Sequence, residues 1–398
     1  MFPADQDLLN PGRWPGVNEP SASLTFRTMH HLYIHVPFCV RRCSYCDFSI
    51  AVRKQVPARE YVDVILTEAQ DKAFGDLDTI YFGGGTPSLL PPEAIAQLLD
   101  GFLKSADPGP AARGDREITL EANPEDVTPD HARAWRAAGI NRVSLGAQSF
   151  DDHVLQWMHR SHDAARIGAA VHALRGMGIE NISLDLIFAL PDELNRDWGR
   201  DLDMALALRP THLSLYGLTV EPRTPLDRWI SRGATHAPDE ERYADEYLTA
   251  HRRLTADGYA FYEVSNAARP GFRSRHNSAY WSGNAYVGLG PAAHSFDGRT
   301  RRWNLRPWEA YRRAIVAGRS AIESEETLTD EQRELERVYL SLRTDEGLRV
   351  TARYRPVPPV TAKGWVVEHA GRLKCTPEGW LRLDSLVNEL TMHTETQS

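Results

Sequence analysis

The sequence predicts an α/β fold with a parallel sheet, either open or curled toward a barrel. From residue 29 to about residue 220, six short apolar runs alternate with segments of helix length. Successive β-then-α units of this kind are joined by right-handed crossovers, which leave the strands parallel. Polar and glycine-rich segments follow the strands, at the edge where such folds carry their active sites. The pattern therefore favours an enzyme-like site at that edge.

The six predicted strands are 32–36, 79–83, 118–122, 143–147, 182–188 and 212–218. Amphipathic stretches at 93–104 and 130–139 are predicted helices, and Gly139 is the residue expected where a helix ends. Near the carboxyl terminus, helices are followed by a strand–turn–strand at 365–376 and a last helix at 377–391. This order resembles a winged helix.

These patterns divide the chain into four segments. Residues 1–28, rich in Pro, Asn and Ser without periodicity, are predicted to be a flexible extension. The barrel core is predicted over 29–262, an α+β extension over 263–327 and the winged-helix-like domain over 328–398.

Composition and charge exclude several classes of protein. The 398 residues are 42% hydrophobic and 25% charged, with a net charge of −8, which argues against coating nucleic acid or an anionic membrane by bulk charge. No apolar run of about 18 residues and no signal-peptide pattern is present, so we expect a cytoplasmic protein. From Asp330 onward, ten Lys and Arg face eleven Asp and Glu. We therefore expect the winged-helix-like block to pack or bind a partner rather than DNA.

Three of the four cysteines are clustered. Cys39, Cys43 and Cys46 form C-x3-C-x2-C directly after the first predicted strand, and Cys375 lies alone on the predicted wing. In a reducing compartment such thiols indicate a metal site before disulfides. An iron–sulfur cluster is favoured over zinc with a distant His or Cys375, and over three packed thiols.

The cysteine motif, with Tyr45 before its last cysteine, resembles the radical S-adenosylmethionine superfamily, whose members fold as partial (β/α)6 barrels. The resemblance implies a [4Fe–4S] cluster on the three cysteines and S-adenosylmethionine on its open iron, cleaved to a 5′-deoxyadenosyl radical. By similarity, further residues would bind or surround the cofactor: Tyr33, Tyr45, Gly84, Gly85, Thr86, Glu121, Gln148, Arg160 and Asp185.

Within the superfamily, residues 30–395 resemble the oxygen-independent coproporphyrinogen III oxidase group. True oxidases have a further cysteine two positions after the third, where this chain has Phe48. Phenylalanine there is typical of the HemW branch of heme chaperones. That resemblance implies heme as cargo, a recipient haemoprotein such as a membrane respiratory complex, no nucleic-acid partner, and at most peripheral membrane association. The competing hypotheses are the oxidase, a tRNA-modifying radical enzyme and a module with a vestigial cluster.

His276, Tyr280 and Trp281 match the H-N-x-x-Y-W motif of the same branch, proposed for heme binding. An imidazole can coordinate heme iron, although a histidine between aromatic residues is commonly a hydrogen-bonded core residue. His294, in a G-x-G-P-x-A-H-S motif, is interpreted as structural.

The chain departs from the family pattern beside the predicted pocket. His159 and Ala189 stand where glycine is usual, Phe188 where tyrosine is usual, and Ala267 where an aromatic residue is common.

Overall fold

Strands and helices alternate along most of the computed structural model, which describes residues 29–70, 72, 74–106, 116–351, 353–354 and 363–395, the last four in backbone only. The strands are β1 (Met29–Val36), β2 (Phe38–Cys39), β3 (Ala51–Val52), β4 (Phe74–Gly84), β5 (Glu117–Ala122), β6 (Arg142–Gln148), β7 (Asn181–Phe188), β8 (His212–Gly217), β9 (Ala260–Glu263), β10 (Asn266–Ala268), β11 (Val287–Leu289), β12 (His294–Phe296), β13 (Thr300–Asn304), β14 (Ile322–Thr327), β15 (Leu348–Arg349), β16 (Val366–His369) and β17 (Arg372–Cys375).

The helices are α1 (Ala58–Ala69), α2 (Pro92–Ser105), α3 (Pro129–Ala138), α4 (Asp152–Trp157), α5 (Ala164–Gly176), α6 (Trp198–Ala207), α7 (Pro225–Ser231), α8 (Glu240–Ala256), α9 (Arg275–Trp281), α10 (Trp308–Val316), α11 (Asp330–Arg343), α12 (Pro377–Trp380) and α13 (Leu383–Glu395). Three short 3-10 helices lie at Pro87–Leu89, Pro124–Asp126 and Asp192–Leu194.

A nine-stranded sheet has the order β11-β1-β4-β5-β6-β7-β8-β10-β9. Strands β1 and β4 to β8 pair in parallel and in chain order, which confirms the six predicted β-then-α units. Strand β11 adds to β1 in parallel, whereas β10 and β9 continue the sheet antiparallel beyond β8. Across the described ranges the edge strands β11 and β9 do not pair, so the sheet is open.

The two faces of the parallel strands differ in polarity. On β1, Leu32, Ile34 and Val36 are fully buried in the main apolar core, which also contains residues of the covering helices. The alternate residues Tyr33 and His35 carry polar groups on the opposite face. Because side chains alternate along a strand, one face packs on the helices and the other is free to build a site.

A buried carboxylate fastens edge strand β11 to the rest of the fold. Glu68 on α1 accepts hydrogen bonds from the Gly290 amide (2.9 Å), the Asn304 side-chain amide (2.7 Å) and the Tyr311 hydroxyl (2.5 Å). Burial raises the pKa of Glu68 above its ordinary value. These bonds join α1 to the loop after β11, to β13 and to α10.

The carboxyl-terminal block has a core of its own. Strands β15, β17 and β16 form an antiparallel sheet beside α11 and α13, with Val338, Leu342, Leu373 and Leu386 buried between them. This confirms the predicted helix, hairpin and final helix. The segment boundaries at 262 and 327 stay predictions, and the predicted extension 1–28 lies outside the described residues. Among the described helices, none is long and apolar enough to cross a bilayer.

Replacing the buried carboxylate is expected to destabilise the fold. In Glu68→Ala three buried donors lose their acceptor, so the free energy of unfolding should fall by about 3 kcal/mol in a denaturant titration. The control Glu323→Ala, at an exposed position, should change it by less than about 0.5 kcal/mol. Equal, small effects of both substitutions would contradict this role of Glu68.

Candidate functional site

A cavity of about 430 Å³ opens at the carboxyl ends of the parallel strands. Its position agrees with the edge that the sequence predicts for a site. The structure brings to its walls most of the residues singled out in the sequence: Cys39, Cys43, Tyr45, Cys46, Gly84, Gly85, Thr86, Glu121, Gln148, Arg160 and Asp185.

The cysteine loop is closed at its base by a two-stranded parallel ribbon. Strand β2 pairs with β3, with Cys39 opposite Val52. The Arg53 amide donates to the Cys39 carbonyl at 2.9 Å. Farther along the loop, the Ser44 amide donates to the Met158 carbonyl, and the Ser44 carbonyl accepts from the Leu226 amide. The loop is thus tied at its base and in its middle.

The thiols meet polar groups of the opposite wall. The Thr86 hydroxyl donates to Cys39 Sγ at 3.3 Å, and Arg160 Nη1 donates to Cys43 Sγ at 3.5 Å. Burial raises the pKa of Cys39 to about 11 and that of Cys46 to about 12. Without a metal these two thiols therefore stay protonated at neutral pH, and metal binding would release their protons.

The set of possible ligands in the structure bears on which metal centre fits the site. Within the described part of the chain, no three His, Cys, Asp or Glu side chains converge tightly enough to hold a single metal ion. Cys375 packs against the apolar cores, away from the cavity, and burial raises its pKa to about 12. Cys375 therefore does not supply a fourth thiol for a zinc site in the cavity.

The glycine loop lies directly against the cysteine strand. The Gly85 amide donates to the Val36 carbonyl at 2.7 Å, and a Cβ at Gly85 would come within 2.8 Å of the Phe38 carbonyl oxygen. Gly84 has a φ of +111°, and a Cβ there would lie 2.7 Å from the His35 ring. Glycine is thus required at both positions by close approach and, at Gly84, also by backbone conformation.

Two of the acidic residues that line the cavity lie on the parallel strands, Glu121 on β5 and Asp185 on β7. Glu121 accepts hydrogen bonds from the Tyr81 hydroxyl (2.8 Å) and the Gly84 amide (3.1 Å), and Asp185 accepts one from the Ser144 hydroxyl (3.0 Å). Burial is the main cause that raises the pKa of both carboxyls. The site thus offers fixed acceptors for cationic or hydroxyl groups of a ligand.

Arg160 and Gln148 lie on neighbouring parts of the wall. Arg160 donates from Nη2 to the Asn123 side-chain oxygen at 2.5 Å and to the Gly146 carbonyl at 3.0 Å. Gln148 ends β6 with a φ of +66°, an uncommon conformation for a residue with a side chain. Strain of this kind is typical of functional positions.

Tyr33 and Phe48 are placed differently from each other. Tyr33 does not line the cavity; it stacks on Tyr81, 6.0 Å between ring centroids, and makes a 3.2 Å hydrogen bond with His35 Nδ1. Tyr33 thus packs beside Tyr81, a residue of the cavity wall, on the neighbouring strand. Phe48, by contrast, lies in the cavity wall.

The H-N-x-x-Y-W residues do not reach this cavity. His276 on α9 is 1% exposed, and its two ring nitrogens are 2.7 Å from the Thr79 hydroxyl and 2.9 Å from the Tyr280 hydroxyl. Burial lowers the pKa of His276 well below its ordinary value, so the ring is neutral. Trp281 packs beneath the Arg343 guanidinium, 4.2 Å from its ring centroid. In this conformation heme ligation by His276 would break existing hydrogen bonds.

The residues that depart from the family pattern differ in backbone conformation and in burial. His159 and Ala189, which replace glycine of the family pattern, have φ values of +59° and +56°. Phe188 and Ala267 are buried in the main core. His294 stacks on Trp303 on the small sheet and does not line the cavity.

Several cavity residues were not assigned from the sequence: Asn123, Glu125, Asp126, Ser144 and Tyr216. Three of them directly follow β5, and Tyr216 lies near the end of β8. The rule that sites gather after parallel strands could have identified these four residues. The position of Ser144 depends on the register of β6 against β7, which pairs it with Ser183.

Comparisons with known proteins agree with this geometry. The model of the radical SAM superfamily matches residues 33–205. The heme chaperone HemW of Mycobacterium tuberculosis is 37% identical over 372 residues, covering 90% of this chain and 94% of the relative. This chain belongs to the HemW branch of the radical SAM superfamily. HemW of Bacillus subtilis is 35% identical over 325 residues. That match covers 80% of this chain and 85% of the relative.

A solved structure has a fold similar to that of this HemW-branch chain. The coproporphyrinogen III oxidase HemN of Escherichia coli, described as a radical SAM enzyme, matches with a TM-score of 0.75 at 22% identity. The match covers 93% of this chain and 91% of that chain. The fold therefore includes both the open parallel sheet and the carboxyl-terminal block.

The close approach of the glycine loop gives a prediction. In Gly85→Ala the new methyl group must push the loop away from the Phe38 carbonyl, at a cost of about 1–3 kcal/mol in the free energy of unfolding. After reconstitution with iron and sulfide, the variant should hold less iron per chain than the wild type.

The matched control is Gly176→Ala at the end of α5, where a Cβ would meet no atom within 4 Å. Its stability and iron content should equal or exceed those of the wild type. Wild-type iron content and stability in Gly85→Ala would show that the loop does not need glycine there.

Proposed function

We propose that this chain is a heme chaperone with a [4Fe–4S] cluster and S-adenosylmethionine, which binds heme and delivers it to a haemoprotein. The observation that carries the proposal is Phe48 in the wall of the cysteine cavity. A phenyl ring offers no ligand at the position where the oxidase pattern has a fourth cysteine. The relatives in Mycobacterium tuberculosis and Bacillus subtilis, which are named heme chaperones, point the same way.

The residues present fit an iron–sulfur cluster. Cys39, Cys43 and Cys46 line one cavity, and they are not drawn to a single point as a mononuclear ion would require. Iron–sulfur clusters are held by cysteine thiolates, and this cavity offers three of them. Arg160, within hydrogen-bond reach of Cys43, places a positive charge beside this ligand.

The glycine loop and the carboxylates would hold S-adenosylmethionine beside the cluster. Gly84, Gly85 and Thr86 would receive its amino end, because the two glycines leave the backbone open to a ligand. Glu121 and Asp185 are acceptors for hydroxyl or ammonium groups, and Arg160 and Gln148 are donors for a carboxylate or ribose. When bound to a reduced cluster, this cofactor supplies radical chemistry.

Heme would be the cargo rather than a resident group. The motif containing His276, Tyr280 and Trp281 is the sequence candidate for heme contact, but its histidine is enclosed in the structure. The resemblance to heme chaperones implies that contact with a respiratory membrane, where the recipient is a membrane complex, would be peripheral.

The second candidate function is the oxidase itself. The observation in its favour is the likeness to HemN across almost the whole chain. Both functions would use the same three-cysteine loop, and they differ in whether coproporphyrinogen is converted. Phe48 argues against the conversion.

One anaerobic experiment separates the two functions. The reconstituted full chain is given a reductant, S-adenosylmethionine and coproporphyrinogen III, with heme titrated in a parallel sample. We expect saturable heme binding close to one heme per chain, followed by absorption spectroscopy. Because Phe48 replaces the fourth cysteine, we expect no protoporphyrinogen to form.

An authentic oxygen-independent oxidase, assayed beside it, is the positive control for turnover. Conversion of coproporphyrinogen by this chain would contradict the chaperone proposal. Failure to bind heme under conditions in which the cluster is intact would also do so.

A further inference from the structure

We propose that His276 is a positioning residue for S-adenosylmethionine binding: it holds the Tyr81 ring, whose hydroxyl fixes the Glu121 carboxylate at the cofactor site. The inference rests on the proposed function, because that function places the cofactor beside Glu121. It gives the H-N-x-x-Y-W motif a part in the cofactor site, although none of the motif residues lines the cavity.

Helix α9, which carries the motif, is anchored beside the start of β5. Glu117 is the first residue of β5, and its carboxylate accepts hydrogen bonds from the backbone amides of Arg275 and His276, each at 3.0 Å. These amides are the first two of α9, and amides in the first turn of a helix have no acceptor within the helix. The backbone that carries the His276 ring is therefore fixed to the sheet.

The His276 ring contacts two inward-facing residues of β4. One ring nitrogen is 2.7 Å from the Thr79 hydroxyl, and the other is 2.9 Å from the Tyr280 hydroxyl. With both nitrogens held, the ring stacks on Tyr81, with 5.0 Å between the ring centroids and 28° between the planes. Because side chains two positions apart on a strand lie on the same face, Thr79 and Tyr81 offer this ring one continuous surface.

Tyr81 is also the partner of Tyr33, which the family resemblance places at the cofactor but which does not line the cavity. The Tyr33 ring stacks on Tyr81, with 6.0 Å between centroids, and its centroid lies 6.5 Å from that of His276. The three rings thus pack together, and Tyr81 is the one among them that lines the cavity. Two residues that the sequence links to ligand binding therefore reach the site through the same side chain.

At the cavity, the hydroxyl of Tyr81 fixes a carboxylate. It donates to Glu121 Oε1 at 2.8 Å, while the Gly84 amide donates to Oε2 at 3.1 Å. Burial raises the pKa of Tyr81 well above its ordinary value, so the hydroxyl keeps its proton and stays a donor. Both oxygens of Glu121 are thus held, with lone pairs left for a hydroxyl or ammonium group of the cofactor. A shift of the Tyr81 ring would remove this preorganisation.

The test is a double-mutant cycle on the affinity for S-adenosylmethionine, measured by calorimetry on the reconstituted full chain. Tyr81→Phe removes the hydroxyl alone, and His276→Ala removes the supporting ring. Each should weaken binding by about tenfold, the scale found for groups that orient metal ligands. Because both substitutions act on one hydrogen bond, the double variant should bind at most about twofold more weakly than Tyr81→Phe.

Three further samples separate positioning from a general loss of structure. His276→Phe keeps an aromatic ring on Tyr81 and should recover most of the affinity lost in His276→Ala. The matched control Val338→Ala truncates a fully buried side chain of the carboxyl-terminal core and should lower the Tm without changing the cofactor affinity. Heme titrated into His276→Ala should bind as in the wild type, since both nitrogens of the native ring are bonded inside the protein.

Wild-type cofactor affinity in His276→Ala, or a double variant whose loss equals the product of the two single losses, would overturn this inference and leave the proposed function standing. Loss of heme binding in His276→Ala with unchanged cofactor affinity would also overturn it and assign the motif to heme. Should His276→Ala fail to fold, His276→Leu, which fills the space without an aromatic ring, takes its place in the cycle. If the wild type binds no S-adenosylmethionine, the proposed cofactor and this inference fail together.

Discussion

The parallel pairing of β1 with β4 continues to the very ends of both strands, and the candidate site depends on it. Val36 pairs with Gly84, and the next amide, that of Gly85, donates to the Val36 carbonyl. The cysteine loop and the glycine loop therefore leave the sheet side by side. Thr86 reaches Cys39 only because no side chain at Gly84 or Gly85 separates the two loops.

The polar face of the sheet places further constraints on the site. Carboxyl groups such as Glu121 and Asp185 are half-buried, and their hydrogen-bond donors come from neighbouring strands. A buried carboxyl without such partners would cost several kcal/mol, on the order expected for an unpaired buried charge. Each donor therefore has to keep its position relative to the neighbouring strand. Because the apolar packing on the opposite face of the sheet holds the strands in register, the site depends on that packing.

The sequence predicted the parallel sheet and most of the cavity wall, because both follow from local patterns. Strands such as 182–188 are short and mostly apolar, and the cysteines and glycines lie at or directly after strand ends. Strand β11 was not predicted. It is three residues long and is fixed by contacts distant in sequence, above all those of Glu68 with Gly290 and Asn304.

The placement of His276 and His159 could not be predicted either. His276 lies in a motif with aromatic neighbours, but its enclosure depends on Thr79, almost two hundred positions earlier in the chain. His159 departs from the family pattern, and the structure places it on the cavity wall with a left-handed φ, as it does Gln148. Tertiary contacts and backbone conformation thus decide what single residues can do.

The central claim is that three cysteines in this cavity hold a [4Fe–4S] cluster whose fourth iron is open to S-adenosylmethionine. Mössbauer spectroscopy of the anaerobically reconstituted, iron-57-enriched chain tests it most directly. We predict that adding S-adenosylmethionine changes the signal of one iron in four and leaves the other three as they were. A spectrum without a four-iron cluster, or a cluster whose iron sites are all unaffected by the cofactor, would contradict the account.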